Sequence, residues 1–188
     1  MQKSKTLKMI LCALFAALTA VLSQIAIPIG PVPINLATFA VFCAGALLGS
    51  KLGALSLTIW AALGAVGVPV FSMFRGGLSA LVGPTGGYII GYIPAAFLTG
   101  LIVEKINKNN KIYLYPVAML AGFLTYFTMG SIWFMFLTGT ELIEALMMCV
   151  VPFIPGDLIK IAVATVLAKR LRPILHAKID VQKQALDI

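Results

Sequence analysis

Apolar runs follow one another along this chain from residue 9 to residue 169, and they fix the solvent in which it folds. A helix needs about 20 predominantly apolar residues to cross a bilayer, fewer where it is interrupted. Six stretches qualify, at about 9–27, 34–49, 52–66, 87–103, 113–137 and 145–169. A soluble domain has no core large enough to hide them. The chain is 61% hydrophobic and 11% charged over 188 residues, whereas soluble domains are about 45–50% apolar and about 25% charged. A lone secretory signal does not explain the pattern either, because the apolar runs recur as far as residue 168.

The expected fold is therefore an all-α integral membrane protein of six transmembrane helices. Proline punctuates it, since Pro lacks a backbone donor and its ring clashes with the preceding turn. PIGPVP (28–33) ends the first span, and Pro152 and Pro155 interrupt the last. The segment 71–86 is rich in glycine and carries no span of its own. Neither a repeat of 20–50 residues nor a pair of inverted halves is visible.

Orientation follows from the short loops, because Lys and Arg collect on the cytoplasmic side. Lys3, Lys5, Lys8, Lys51, Lys105, Lys108, Lys111, Lys169, Arg170, Arg172, Lys178 and Lys183 fall on one side, and only Arg75 on the other. Both termini are expected in the cytoplasm, with a basic segment 1–8, a transmembrane domain 9–169 and a tail 170–188. The net charge of +8 thus belongs to span ends. No basic stripe interleaved with aromatics appears, which argues against a nucleic-acid partner.

One span holds two charges. VPFIPGDLIKIAVATVLAKR carries Asp157 and Lys160 three residues apart, so both lie on one helix face. A helix restarting at Pro155 rises about 20 Å to Lys169, less than the roughly 30 Å hydrocarbon core, so the pair is expected in the outer half of the membrane. Each such group costs about 2.5–3.5 kcal/mol to insert and by default faces the bundle interior or a wet cavity. An ion pair that only locks helices is the plainer reading; a polar ligand site is the one the surrounding loops favour.

Other residues are candidates for the same site. Arg75, flanked by glycine, is suited to meet a carboxylate, and Phe71 and Phe74 to wall a pocket. Tyr92 lies a turn deeper than Tyr88, for which a place in the interfacial aromatic belt is the plainer account. Asn35 either lines the site or caps the second helix. Gly83, Gly87, Gly91 and Ala95 form a small-residue stripe suited to close helix packing. Ala13, Ala16, Ala17 and Ala20 form another in the first span, for packing or for docking a second membrane protein.

Several chemistries find no residues to carry them. GALLGSK has three residues between its glycines where a P-loop has four, so ATP hydrolysis is not expected here. The sole histidine, His176, sits in the basic tail, which leaves no metal cluster or nucleophile–base set for an enzyme. Cys12, Cys43 and Cys149 lie among apolar neighbours and read as small hydrophobes. No cofactor is expected.

GPVPIN, GVPVF followed by RGG, GPTGGYIIGY and PFIPGDLIK together resemble the BioY family, over about residues 7–169. The resemblance implies a biotin-selective substrate-binding (S) component of an energy-coupling factor (ECF) transporter in a prokaryotic cytoplasmic membrane. It also implies partners: a transmembrane coupling protein and two cytoplasmic ATPases. The first helix of such components carries an AxxxA docking motif, which Ala13 with Ala17 matches and Ala16 with Ala20 also fits. The PGDLIK match implies Asp157 and Lys160 as ligand contacts. Asn35, Leu36 and Ala37 stand where relatives commonly show a Thr and then a Gln. Biotin's ureido ring would find an acceptor in Asp157 and a donor in Lys160, its rings cover from Tyr92, Trp60, Phe71 or Phe74, and its carboxylate a partner in Arg75. The alternative is a stand-alone carrier driven by a gradient, with Asp157 carrying the proton.

Overall fold

A computed structural model describes the backbone of residues 2–107 and 109–184, and the side chains of residues 6–107, 109–175 and 177. Lys108 lies outside the described residues, as do the side chains of Lys3, Lys5, His176, Lys178 and Lys183. Eight α-helices follow in order: α1 (Gln2–Gln24), α2 (Ala37–Leu48), α3 (Ser50–Ala65), α4 (Leu78–Val82), α5 (Gly86–Lys105), α6 (Leu114–Thr138), α7 (Leu142–Cys149) and α8 (Ile154–Gln184). Among the described residues, four helical stretches are long and apolar enough to cross a membrane: Thr6–Gln24, Gly86–Lys105, Leu114–Thr138 and Leu142–Leu175. The shorter α2 and α3 complete the bundle, at 12 and 16 residues.

The breaks fall where proline and glycine dictate. After α1 the chain forms a hairpin of two-residue strands, β1 (Ala26–Ile27) and β2 (Ile34–Asn35), pairing Ala26 with Asn35 and Ile27 with Ile34. The prolines 28, 31 and 33 occupy its loop, where no ladder donor is needed. A single residue, Gly49, separates α2 from α3. Its φ of +86° is open to glycine, and any Cβ there would sit 1.9 Å from Glu104 Oε1. Pro152 lies in a 3₁₀ turn, Val151–Phe153, between α7 and α8. The last span is therefore broken near where the prolines predict.

The segment 71–86, which holds no stretch long and apolar enough to cross a membrane, folds into a 3₁₀ turn, Ser72–Phe74, and α4. One boundary differs from the expectation. Helix α8 does not end at Lys169 but continues through Pro173 to Gln184. An apolar run marks only the part of a helix that meets oil, so a polar continuation is invisible to it.

Small residues set the spacing of α5 and α6. A Cβ on Gly87 would lie 2.3 Å from Trp133 Cβ, and one on Gly91 3.1 Å from Tyr126 Cα. Without side chains at these positions the two backbones approach closely. Gly83, expected in the same stripe, instead ends α4, where its carbonyl accepts the Trp133 Nε1–H at 2.9 Å. At the other end of α5, the Lys169 ammonium donates to the Asn110 carbonyl and ties the α5–α6 loop to α8.

Candidate ligand-binding site

Asp157 and Lys160 sit in the first two turns of α8, just past the break, with α2 and α6 against them. A carboxylate at a helix start is favoured by the unpaired N–H groups and the helix dipole. Asp157 is fully buried, and Lys160 is buried to within 8% of its surface. They form an ion pair at 2.7 Å. Thr38 of α2 donates to Asp157 Oδ1 at 2.9 Å, and Tyr126 of α6 donates its hydroxyl to Oδ2. Lys160 Nζ donates to Asp157 Oδ1, to Thr38 Oγ1 at 3.0 Å and to the Asn35 carbonyl at 2.6 Å. An ammonium has three protons, and all three are used.

A cavity open at its mouth borders this network. Lys160 lines it and Asp157 does not. The expectation that both charges face the hollow therefore divides: the carboxylate stands behind the ammonium, drawn toward Tyr126. Trp60, Tyr92 and Phe71 form a wall, with Trp60 and Tyr92 stacked at 5.8 Å and Trp60 and Phe71 edge-to-face at 5.1 Å. The Trp60 indole N–H is satisfied by the Val70 carbonyl at 3.1 Å, so its ring is fixed.

Asn35 and Arg75 also line the cavity. The N-cap position of α2 is Leu36, without a side-chain cap bond, and Asn35 sits one residue before it, its Oδ1 accepting the Ala37 N–H at 2.9 Å. Its amide donates to Ser72 Oγ at 2.5 Å. Arg75 Nε donates to the Ser72 carbonyl at 3.3 Å. Among the described residues the pair Asp157–Lys160 is the one salt bridge, so Arg75 has no carboxylate partner there. It is the cavity's uncompensated positive charge.

Phe74 corrects the sequence reading. It is 71% exposed and does not line the cavity. Met73 and Phe74 both take left-handed backbone, with φ of 60° and 57°, and this turn directs Phe71 inward and Phe74 outward. Tyr88 is not at an exposed belt. It is buried, lines the cavity and lies 3.2 Å from Ser131 Oγ.

Sequence reasoning missed Thr38 and Tyr126, which hold the carboxylate, and Phe127 and Phe153, which line the cavity. Thr38 does carry a signal, as the one hydroxyl in the α2 run ATFAVFCAGALL. The alanine strip divides. Ala13 and Ala17 face outward, Ala16 is buried and Ala20 half-buried against the core.

An apolar helical bundle enclosing aromatic walls, one clamped ammonium and one guanidinium with no carboxylate partner among the described residues has the make-up of a membrane protein with a pocket suited to a small, partly apolar guest. Comparison with known proteins agrees. The BioY family's sequence profile matches residues 1–177. The chain is 44% identical to the probable biotin transporter BioY of Pyrococcus horikoshii, over 86% of this chain and 94% of that protein. It is 39% identical to the biotin transporter BioY of Thermotoga maritima, over 88% and 95%. A crystal structure of the S-component for biotin from an ECF-type ABC transporter superposes with a TM-score of 0.86 at 32% identity, covering 92% of this chain and 94% of that one. The chain belongs to the BioY family, a family of multi-pass membrane transporters and not of enzymes.

Proposed function

We propose that this protein binds biotin and serves as the substrate-specific subunit of an ATP-driven ECF transporter in the cytoplasmic membrane. The observation that carries this reading is the cavity itself: aromatic walls for a bicyclic ring, with Lys160 and Arg75 as separate cationic contacts. The relatives' stated ligand supports the same choice. A ligand acceptor would take over the Lys160 proton that the Asn35 carbonyl accepts, Arg75 offers a bidentate partner for a carboxylate, and Trp60, Tyr92 and Phe71 supply ring contact. Asp157 acts through Lys160 by holding the ammonium in place.

Six spans, α1, α2, α3, α5, α6 and the α7–α8 pair, place both termini in the cytoplasm under this proposal, with the cavity toward the outside. Segment 1–8, domain 9–169 and segment 170–188 are its divisions. The energy comes from two ATPases, passed through a coupling protein that docks on the first helix. Ala13 and Ala17 are the docking pair we favour, because their side chains are exposed on that helix.

Mass spectrometry of ligand extracted from protein purified from cells grown with biotin tests this directly. Biotin in near-stoichiometric yield is expected. A different vitamin in its place would refute the ligand assignment.

A further inference from the structure

The cavity wall that carries Phe71, Ser72 and Arg75 is a tight turn closed by the Phe71 N–H donating to the Arg75 carbonyl at 2.9 Å. Met73 and Phe74 at its tip adopt left-handed backbone, which non-glycine residues hold only when their surroundings enforce it. The last turn of α1 does the enforcing. Gln24 Oε1 accepts the Phe74 N–H at 2.8 Å, in the middle of the left-handed pair. Gln24 Nε2 lies 3.4 Å from the Pro69 carbonyl. Ser23 Oγ donates to the Val70 carbonyl at 2.5 Å. Two consecutive polar residues at the end of an apolar helix thus grip the strand entering the turn and the turn's tip.

We propose that Gln24 is a positioning residue for ligand retention: it latches the 71–75 turn, and with it Phe71 and Arg75, over the cavity. Opening the cavity then means breaking the contacts of Ser23 and Gln24 together with the Asn35 amide's bond to Ser72 Oγ. The β1–β2 hairpin stays paired while this happens, since its own ladder is independent of Gln24. The inference rests on the proposed ligand site for its kinetic consequence, but the latch itself is present without ligand.

Two measurements test it on the full-length protein in detergent or nanodiscs. Stopped-flow tryptophan fluorescence reads biotin association and dissociation, and hydrogen–deuterium exchange reads the amides of 71–77 in ligand-free protein. Gln24→Leu removes acceptor and donor together. It should speed dissociation by about tenfold, the scale of one lost hydrogen bond, with the association rate little changed. It should also speed exchange at 71–77 while the hairpin amides and the unfolding midpoint stay as in wild type. Gln24→Glu keeps the acceptor for Phe74 and should remain within about threefold of wild type. Unchanged exchange at 71–77 in Gln24→Leu overturns the latch, as does equal acceleration by the two variants. If wild-type protein fails to bind biotin, the proposed function falls, and the exchange measurement still decides the latch. Should Gln24→Leu not fold, Ser23→Ala gives the same two readouts with the same expected direction.

Discussion

Asp157 and Lys160 show how far single residues can be read. Their burial together follows from sequence, because charges in an apolar span need each other or a cavity. The structure adds that each is also held by hydroxyls, from Thr38 and Tyr126. Those partners come from helices distant in sequence: Thr38 is marked only as the one hydroxyl of its run, and nothing local pairs it or Tyr126 with Asp157. Phe71 and Phe74 were indistinguishable in the sequence for a related reason: the handedness of one turn decides which faces inward. Thr38→Val removes a donor to Asp157 and an acceptor for Lys160, and should weaken biotin binding by up to about thirtyfold by titration calorimetry, since the two bonds are worth about 1 kcal/mol each. Lys160→Met leaves a buried carboxylate unpaired, at a cost of about 3–5 kcal/mol. It should lower the unfolding midpoint more than the double variant Lys160→Met with Asp157→Leu does. Equal destabilisation by both would mean the pair is not desolvated as described.

At the scale of elements, four of the six expected spans fall on helical stretches long and apolar enough to cross a membrane, and the other two on the shorter α2 and α3. Their apolar length and proline punctuation carried that reading. The polar extension of α8 and the short turn at Ser72–Phe74 lay beyond it, because neither has an apolar period. Glycine also does more than the stripes suggested. Gly64 of α3 lies under the Phe71 ring, where a Cβ would approach to 2.0 Å, and Gly130 of α6 lies under Tyr88 at 2.1 Å. These two positions set how far two cavity aromatics stand back. Gly130→Ala should push Tyr88 into the cavity and lower biotin affinity by about tenfold, while overpacking costs about 1–3 kcal/mol of stability. A titration showing unchanged affinity would mean that Tyr88 yields in another direction.

For the whole molecule, large apolar side chains cover the outside of the bundle, with Phe136 84% and Ile159 66% exposed. In oil this surface carries no penalty, and it explains why a chain of this composition places its polar groups around one cavity. The exposed face of α1, with Ala13 and Ala17 between Ile10, Leu14 and Val21, is the surface proposed for the coupling protein. Ala17→Trp should leave biotin binding intact and abolish uptake that requires the ATPases, measured with labelled biotin in reconstituted vesicles. Lost binding in that variant would instead place Ala17 in the packing of the bundle. The proposed seat of biotin is the cavity walled by Trp60, Tyr92 and Phe71 and bordered by Lys160. A structure of the biotin complex is the decisive measurement. It should show the bicyclic ring against those aromatics, with a polar ligand atom at hydrogen-bond distance from Lys160 Nζ. Biotin bound elsewhere, with Lys160 still donating only to Asn35, Thr38 and Asp157, would contradict it.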